Sequence, residues 1–326
     1  MAIDIHFIKQ VQTRALVRLN SNAEEFSAAT NGGFVIGSPE YVELAVEKVM
    51  LTLDNVIFER NPFSDTDVAS KEFGQLLERG IKKFYGAGPV VVKDTLLELI
   101  GSNPAQARDL MADAVAQQAL REMISAGTTA LSNALPAALT TTTASATPAM
   151  VDLIRGVKPL GSGALKVAAY VMSPDNYLEF IAGQVEAPST AGGYLFQYGD
   201  ISVARSPNGK PLVMLDGFPE THVLALAPGA VVIEPSALHL ETDVVLGKEN
   251  IKHMIQGEGW YNMQLRGFTW AKEIGSRVPE LAQTDGSVAP TVAQITVAGA
   301  WVPTRPVTDG EGKRAIGSVK INFAAV

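Results

Sequence analysis

The chain has 326 residues and no cysteine, and its 34 acidic residues outnumber 26 basic ones, giving a formal net charge of -8. The lack of cysteine excludes disulfides, thiolate nucleophiles and sulfur-ligated metals. The acidic charge argues against a general nucleic-acid binder, which needs a basic face, although a container for nucleic acid stays open. With 47% hydrophobic but only 18% charged residues, the composition indicates a folded protein that buries surface between subunits.

The N-terminal residues 1–33 are predicted to form an extended arm. Val11, Ala15 and Val17 give a partial two-residue alternation, and a polar run then leads to a glycine-rich turn. The first residues have an acid where a secretory signal peptide has lysines, and their apolar run is broken, so no signal peptide is predicted. The absence of cysteine fits synthesis in a reducing cytoplasm. No apolar stretch of the sequence approaches the ~18 residues that a membrane span needs, so we expect no membrane partner.

The next segments alternate between apolar and polar character. Residues 34–53 are rich in apolar residues, and 39–48 can form a short helix. Residues 54–88 are polar and charged, which predicts a protruding excursion with little core of its own. Residues 89–94 contain three adjacent valines, which favour a short strand.

A long helix is predicted over residues 103–135. Asn103 is suited to cap it, and Pro104 is tolerated in a first turn, where a backbone N–H has no helical partner. A helix of ~30 residues extends ~45 Å, which suits a structural spine. The three/four spacing predicts one buried face: Ala107, Leu110, Met111, Ala114 and Val115. The opposite, solvated face is predicted to hold Gln106, Asp109, Asp113 and Gln117.

The small-residue run from Thr140 to Pro148 is the main predicted domain boundary, and short strands and turns follow it. Residues 174–181 form a predicted short helix, and 205–210 form a hairpin turn. The predicted strands before residue 235 are 165–172, 193–198, 201–204, 212–215, 223–226 and 230–233. The sequence closes with predicted strands at 294–302 and 315–323.

Three groups of residues are candidates for chemistry, and none is convincing. Gly156 to Gly163 has the glycine spacing of a phosphate loop, but Ser162 stands where the loop needs a lysine, so a turn is favoured. His239, Glu241 and Asp243 lie on one side of a predicted strand. Same-side residues of one strand rarely converge on one ion, so a polar strand face is favoured over a metal site.

The third group consists of scattered carboxylates, Asp216, Glu220 and Glu234, which are too common on surfaces to indicate acid–base catalysis. No Gly-x-Ser-x-Gly nucleophile elbow occurs in the sequence, although a serine–histidine–aspartate arrangement stays open. We therefore predict no catalytic, cofactor-binding or metal-binding residue and no enzyme activity.

The segment 257–270 combines aromatic residues with one arginine. Trp260, Tyr261, Phe268 and Trp270 can pack a sheet core or form a ligand platform, and core packing is the commoner use. Arg266 is predicted to be a structural or inter-subunit ion-pair donor and not an anion receptor.

The order of these motifs resembles the major capsid proteins of tailed bacteriophages, whose fold is the Hong Kong 97 type. The resemblance rests on three strings, namely Tyr-Val-Met-Ser-Pro-Asp-Asn-Tyr at 170–177, Gly-Lys-Pro-Leu-Val-Met-Leu-Asp-Gly-Phe-Pro at 209–219, and Leu-Arg-Gly-Phe-Thr-Trp at 265–270. It covers nearly the full chain. After Trp270 the sequence departs from the Gly-Gly-x-Asn-Pro-Thr turn that relatives often have, so the loop geometry there is not predicted.

The resemblance implies an α+β fold with a spine helix and a β-sheet in its P-domain. The implied parts are an N-terminal arm (1–33), a lead into the P-domain (34–53), an E-loop (54–88), the P-domain with its spine helix (89–150), an A-domain (151–290) and return strands of the P-domain (291–326).

The function implied by the resemblance is that of a structural virion protein, made in the host cytoplasm, that self-assembles into an icosahedral capsid. Its partners are then copies of itself in hexamers and pentamers, double-stranded DNA bound without sequence specificity, and a portal, scaffold or decoration protein. An encapsulin-like nanocompartment shell is the first alternative, and a two-domain hydrolase is an alternative of another class. Some capsids of this fold join subunits through a lysine–asparagine isopeptide. Lys71, Lys82 and Lys83 lie in the excursion without an evident partner, so we predict no cross-link.

Overall fold

The computed structural model describes residues 5–37, 47–52, 74–93, 103–145, 149–182, 192–206, 208–236, 238–246, 251–270, 292–308 and 310–324. Within these ranges the protein is α+β, as predicted, and no helix is long and apolar enough to cross a membrane. The helices are α1 (Ile5–Ala29), α2 (Pro104–Ala134), α3 (Met150–Gly156), α4 (Pro174–Ala182), α5 (Val292–Thr296) and α6 (Gly310–Ile316), with 3-10 turns at Ala137–Leu139 and Lys158–Lys166.

The described strands form two main sheets and two small ribbons. The five-stranded sheet contains β1 (Phe34–Ile36), β4 (Ile81–Lys93), β11 (Val231–Pro235), β12 (His239–Leu246) and β13 (Ile251–Leu265). The seven-stranded sheet contains β5 (Thr140–Thr142), β6 (Ala169–Met172), β7 (Gly192–Tyr198), β8 (Ile201–Arg205), β9 (Pro211–Leu215), β10 (His222–Leu226) and β16 (Val319–Asn322). The ribbons pair β2 (Glu47–Thr52) with β3 (Gly74–Arg79), and β14 (Phe268–Trp270) with β15 (Trp301–Pro303).

The N-terminal segment is not extended, and that part of the prediction is wrong. Residues Ile5–Ala29 form a 25-residue helix that packs against α2 of the same molecule. Its buried residues recur every three or four positions, which is the helical period and not the period of a strand. They are Ile8, Val11, Ala15, Leu19, Ala23 and Phe26.

The long helix is where the sequence predicts it. The Asn103 side chain accepts a hydrogen bond of 3.3 Å from the backbone N–H of Gln106, so Asn103 is the N-cap, and Pro104 lies in the first turn. The helix runs to Ala134 and Pro136 follows, which agrees with the predicted end at 135.

The orientation of α2 differs from the predicted one. Leu110 is 64% exposed, and the buried face of the N-terminal half of α2 contains Ala112, Ala116 and Ala119. Small residues occupy this face because α1 lies along it. Arg14 pairs with Asp109, and Arg18 contacts Asp113 at 3.0 Å, so two aspartates assigned to solvent bind α1.

The C-terminal half of α2 packs closely on the five-stranded sheet. A Cβ atom added at Gly127 would lie 2.6 Å from Val231 Cγ1, so the absence of a side chain sets the distance between helix and sheet. In that sheet β13 is the long central strand and pairs with β4, β11 and β12. The strand expected at 89–94 is therefore the end of a 13-residue strand.

The seven-stranded sheet confirms the short strands predicted between residues 193 and 226, and the one predicted at 230–233 is β11 of the five-stranded sheet. The strand order of the seven-stranded sheet is β5-β16-β10-β6-β9-β8-β7, and α4 follows β6 as predicted. The small-residue run is not wholly a linker, because Thr140–Thr142 form the outer strand β5. The stretch Lys158–Lys166 is a set of 3-10 turns, so the strand predicted from 165 begins only at Ala169.

The C-terminal strand predictions hold only in part. Residues Val292–Thr296 and Gly310–Ile316 are helical, and the strands there are the shorter β15 and β16. The strand β16 pairs with β5 and β10, so it joins strands on both sides of the predicted boundaries at 150 and 290. The domain limits stay a prediction. Most of the helix predicted at 39–48 and of the E-loop before residue 74 lies outside the described residues, as does 271–291.

Candidate assembly interface

The segment around Trp270 packs the core of the molecule. Phe268, Trp270 and Tyr261 are at most 5% exposed, and the rings of Trp270 and Trp301 meet edge to face at 5.4 Å. Core packing is thus confirmed for these aromatics, and no ligand platform forms there. Trp260 is half-buried, and the Lys82 ammonium lies 4.6 Å from the centre of its ring.

Arg266 binds backbone carbonyls of its own subunit, which agrees with the predicted structural role, and an ion pair to a neighbouring subunit stays a prediction. Its Nε donates to the Ala315 carbonyl at 3.0 Å and a terminal nitrogen donates to the Pro228 carbonyl at 2.6 Å. The arginine thereby joins the turn before β14 to the end of α6 and to the turn before β11. Its role is structural.

The lysines considered for cross-linking have different surroundings. Lys83 is 4% exposed, forms an ion pair with Glu122 of α2 and lies 5.4 Å from the Tyr261 ring centre. Burial and the ion pair both hold its ammonium inside the molecule. Lys82 lies over aromatic rings, and Lys71 lies outside the described residues. The absence of a cross-link stays a prediction.

A cavity of 570 Å³ lies between α2 and the five-stranded sheet, next to this ion pair. Lys83, Glu122 and Gln118 supply its polar groups, and the remaining wall is largely apolar. Tyr85 also lines it, and burial raises the pKa of the Tyr85 phenol to about 12, so this group stays protonated and is a poor base. The cavity is therefore a largely apolar groove beside one buried ion pair.

The two remaining candidates for ligand binding are placed as surface features. Lys158–Lys166 forms 3-10 turns and not the strand–loop–helix arrangement of a phosphate loop. His239 Nε2 and Glu241 Oε1 lie 2.9 Å apart on exposed β12. In the part of the chain that the structure describes, no three histidine or carboxylate side chains group to hold a metal ion. Asp216 pairs with Arg121 at 3.2 Å, so it serves packing between the sheet and α2.

A serine and a histidine do meet, but their surroundings do not suit hydrolysis. Ser132 Oγ and His222 Nε2 lie 2.9 Å apart, and both side chains are buried. The other ring nitrogen contacts Thr221 Oγ1 at 3.1 Å, where a hydrolase has a carboxylate to orient the imidazole. The pair ties α2 to β10 in the core.

This histidine should make stability depend on pH. Burial, and secondarily the charge of Lys320, lowers the pKa of His222 from 6.5 to about 4. Below pH 6.5 the His222 imidazole is therefore protonated in the unfolded chain, whereas in the folded chain it becomes protonated only near pH 4. The free energy of unfolding should fall by about 3 kcal/mol across this window. Denaturant unfolding at several pH values measures it, and His222→Gln should remove this part of the dependence; an unchanged profile contradicts the assignment.

The surface also carries large apolar side chains that the sequence did not single out. Several form two groups on elements of the seven-stranded sheet or packed against it. One group contains Val151, Ile154 and Leu165, and the other contains Leu178, Tyr194 and Leu195. Exposed apolar groups of this kind favour contact with another protein surface. The signal available in the sequence was the mixture of apolar and basic residues in 151–158, which is unusual for a solvated helix.

Comparison with known proteins decides the class. Residues 5–301 match the Gp13-like family, described as "Major capsid protein 13-like". The chain belongs to this family of major capsid proteins. It is thus a structural subunit of a capsid shell, and its location is the virion capsid.

Solved structures with a similar course of the chain have very different sequences, and no curated protein matches. A chain of Mycobacterium phage Bobi has 10% identity and a TM-score of 0.48, over 91% of each chain. A chain of the cyanophage P-SCSP1u capsid has 10% identity and a TM-score of 0.44, covering 90% of this chain and 87% of its own. A chain of the SrpI encapsulin complex from Synechococcus elongatus has 13% identity and a TM-score of 0.46, over 84% of this chain and 86% of its own.

Proposed function

We propose that this major capsid protein has the Hong Kong 97-type fold and assembles into hexamers and pentamers that close an icosahedral shell around double-stranded DNA. The observation that carries the proposal is the family match over residues 5–301. The 31-residue helix α2, lying against a sheet with Gly127 at the contact, supplies the stiff body that a shell subunit needs.

The charge of the chain supports a container and not a DNA-binding protein. A net charge of -8 repels phosphate, so packed DNA is enclosed without being held by sequence-specific contacts. The proposal assigns no catalytic step to the chain and includes synthesis in the host cytoplasm before assembly. Portal, scaffold and decoration proteins are further partners within the same proposal.

Electron microscopy of the purified chain tests the proposal. We expect closed particles tens of nanometres across, with DNA inside particles isolated from infected cells that resists nuclease until the shells are opened. Particles that enclose a protein cargo and no DNA would favour a nanocompartment instead. A chain that stays monomeric under all assembly conditions, with hydrolase activity, would overturn the proposal.

A further inference from the structure

One lateral end of the seven-stranded sheet carries a basic and apolar surface. We call it the basic edge and define it by Val151, Ile154, Arg155, Lys158, Leu165 and Lys166. Helix α3 packs on β16, and Thr141 of β5 donates a hydrogen bond to the Gly156 carbonyl at 3.1 Å, so this surface lies beside the outer strand β5. Leu165 is 87% exposed and Ile154 is 54% exposed.

The basic groups of this edge are not neutralised by any described part of the subunit. No carboxylate in the described ranges lies within ion-pair distance of Arg155, Lys158 or Lys166. Lys313 adds a further positive charge, and Asp152 is the acidic side chain lining the 730 Å³ cavity beside them. An excess of positive charge therefore persists here in a chain that is negative as a whole.

Helix α4, the outer strand β7 and the loop before β10 carry the complementary surface. We call it the acidic edge and define it by Asp175, Leu178, Glu179, Tyr194, Leu195 and Glu220. Asn176 of α4 donates a hydrogen bond to the Glu220 carbonyl at 2.9 Å, and Tyr177 lies near Tyr194 of the outer strand β7. These contacts place α4, β7 and the loop before β10 together.

The acidic edge likewise has no ion-pair partner among the described residues. No basic side chain in the described part of the chain pairs with Asp175, Glu179 or Glu220. Arg205, at the end of β8, is an exposed basic residue beside this edge, and the local charge remains negative. Leu178 and Tyr194 are 63% and 60% exposed, so apolar surface accompanies the charge here as well.

We infer that the basic edge of one subunit binds the acidic edge of the next copy of the same chain. The outer strands β5 and β7 are six strand spacings of ~4.8 Å apart, about 30 Å. Helix α4 packs on β9, four spacings from β5, so the two surfaces are distinct and one subunit can engage two neighbours at once. A contact between two different surfaces of identical chains is head-to-tail, and it closes into a ring when the rotation between copies permits. The inference rests on the proposed function and names the surfaces that form a capsomer.

The two surfaces have the composition of a protein contact. On each surface exposed apolar side chains lie among charges of one sign, and the sign is opposite on the other surface. The apolar groups can be buried at the centre of the contact, and the charges at its rim steer the two subunits together. Duplex DNA would use the basic charges alone and would leave Leu165 and Ile154 in water. Like-charged edges, in contrast, repel, so the same pattern disfavours head-to-head pairing of two copies.

A reciprocal charge exchange tests the inference. Arg155→Glu with Lys158→Glu reverses the basic edge, and Asp175→Lys with Glu179→Lys reverses the acidic edge. Each pair alone should abolish shells, by electron microscopy and sedimentation, at concentrations where the wild-type chain assembles. The chain with all four substitutions should form shells again, because its edges are complementary once more. Circular dichroism and thermal unfolding of each monomer show whether the fold is kept.

The matched control is Glu24→Lys with Glu25→Lys on the exposed side of α1, which makes the same change in formal charge as the acidic-edge pair and should leave shells intact. Should a reversed monomer unfold, Lys158→Gln and Glu179→Gln replace the reversals, and each should weaken assembly most at low salt. Normal assembly of both reversed chains, or no rescue in the fourfold chain, overturns the inference while wild-type shells keep the proposed function. Wild-type chains that never form shells overturn the proposed function and the inference with it.

Discussion

Phe26→Ala should lower the free energy of unfolding of the isolated subunit by about 4 kcal/mol, the usual cost of emptying a buried phenylalanine site. The Phe26 side chain is 0% exposed, and its ring lies 5.3 Å from Phe34 and 5.6 Å from Phe196. It thus joins α1, β1 and β7 in one core. The loss arises in the monomer, because every contact is internal, and denaturant unfolding at low protein concentration measures it.

The control for this change lies on the same helix. Val17 is 64% exposed, and Val17→Ala should change the free energy of unfolding by less than about 0.5 kcal/mol. If Phe26→Ala leaves monomer stability unchanged and lowers only the stability of assembled shells, the helix packs on neighbouring subunits and not on its own.

Gly267→Ala should destabilise the subunit by about 4 kcal/mol, for two additive reasons. Gly267 has a φ of 74°, which costs a residue with a side chain about 1–2 kcal/mol. A Cβ atom there would also lie 2.9 Å from the backbone of Ile316, and a backbone atom cannot move aside as a side chain can. Thermal and denaturant unfolding of the variant measure the sum.

Gly217→Ala separates the two contributions. Gly217 has a φ of 78°, but no atom lies within 4 Å of its added Cβ. Its replacement should therefore cost only the backbone contribution, about 1–2 kcal/mol. Equal losses in the two variants would show that the approach to Ile316 does not constrain this turn.

Local rules predicted the elements whose signals are local. The Asn103 cap and Pro104 define the start of α2, because both residues act on the backbone groups of the first turn. The short strands from 193 to 233 are bounded by turn residues such as Gly199 and Gly209, both with positive φ. The lengths of these strands could therefore be predicted without knowing which strands they pair with.

Elements that depend on distant partners were predicted less well. The extended arm was predicted from a partial two-residue alternation around Val11 to Val17. The buried residues of α1 follow instead a three/four period that runs from Ile8 to Phe26, which is the period of a helix with one buried face. Leu110 was assigned to the core, although alanines fill that face, because the helix that packs there was itself missed. The acidic edge brings together residues that are far apart in sequence, from α4, β7 and the loop before β10, so no local pattern could show it. The basic edge lies within residues 151–166, and only its pairing with the acidic edge was beyond a local pattern.

The packing of α1 on its own subunit has a consequence for the order of folding and assembly. A chain whose terminal helix completes its own interior reaches its final form alone, in a first-order reaction that dilution does not slow. Encounter between finished subunits is then a separate, concentration-dependent step. Folded monomers can therefore accumulate without exchanging helices. The onset of shell growth then depends on the subunit concentration and on the salt concentration.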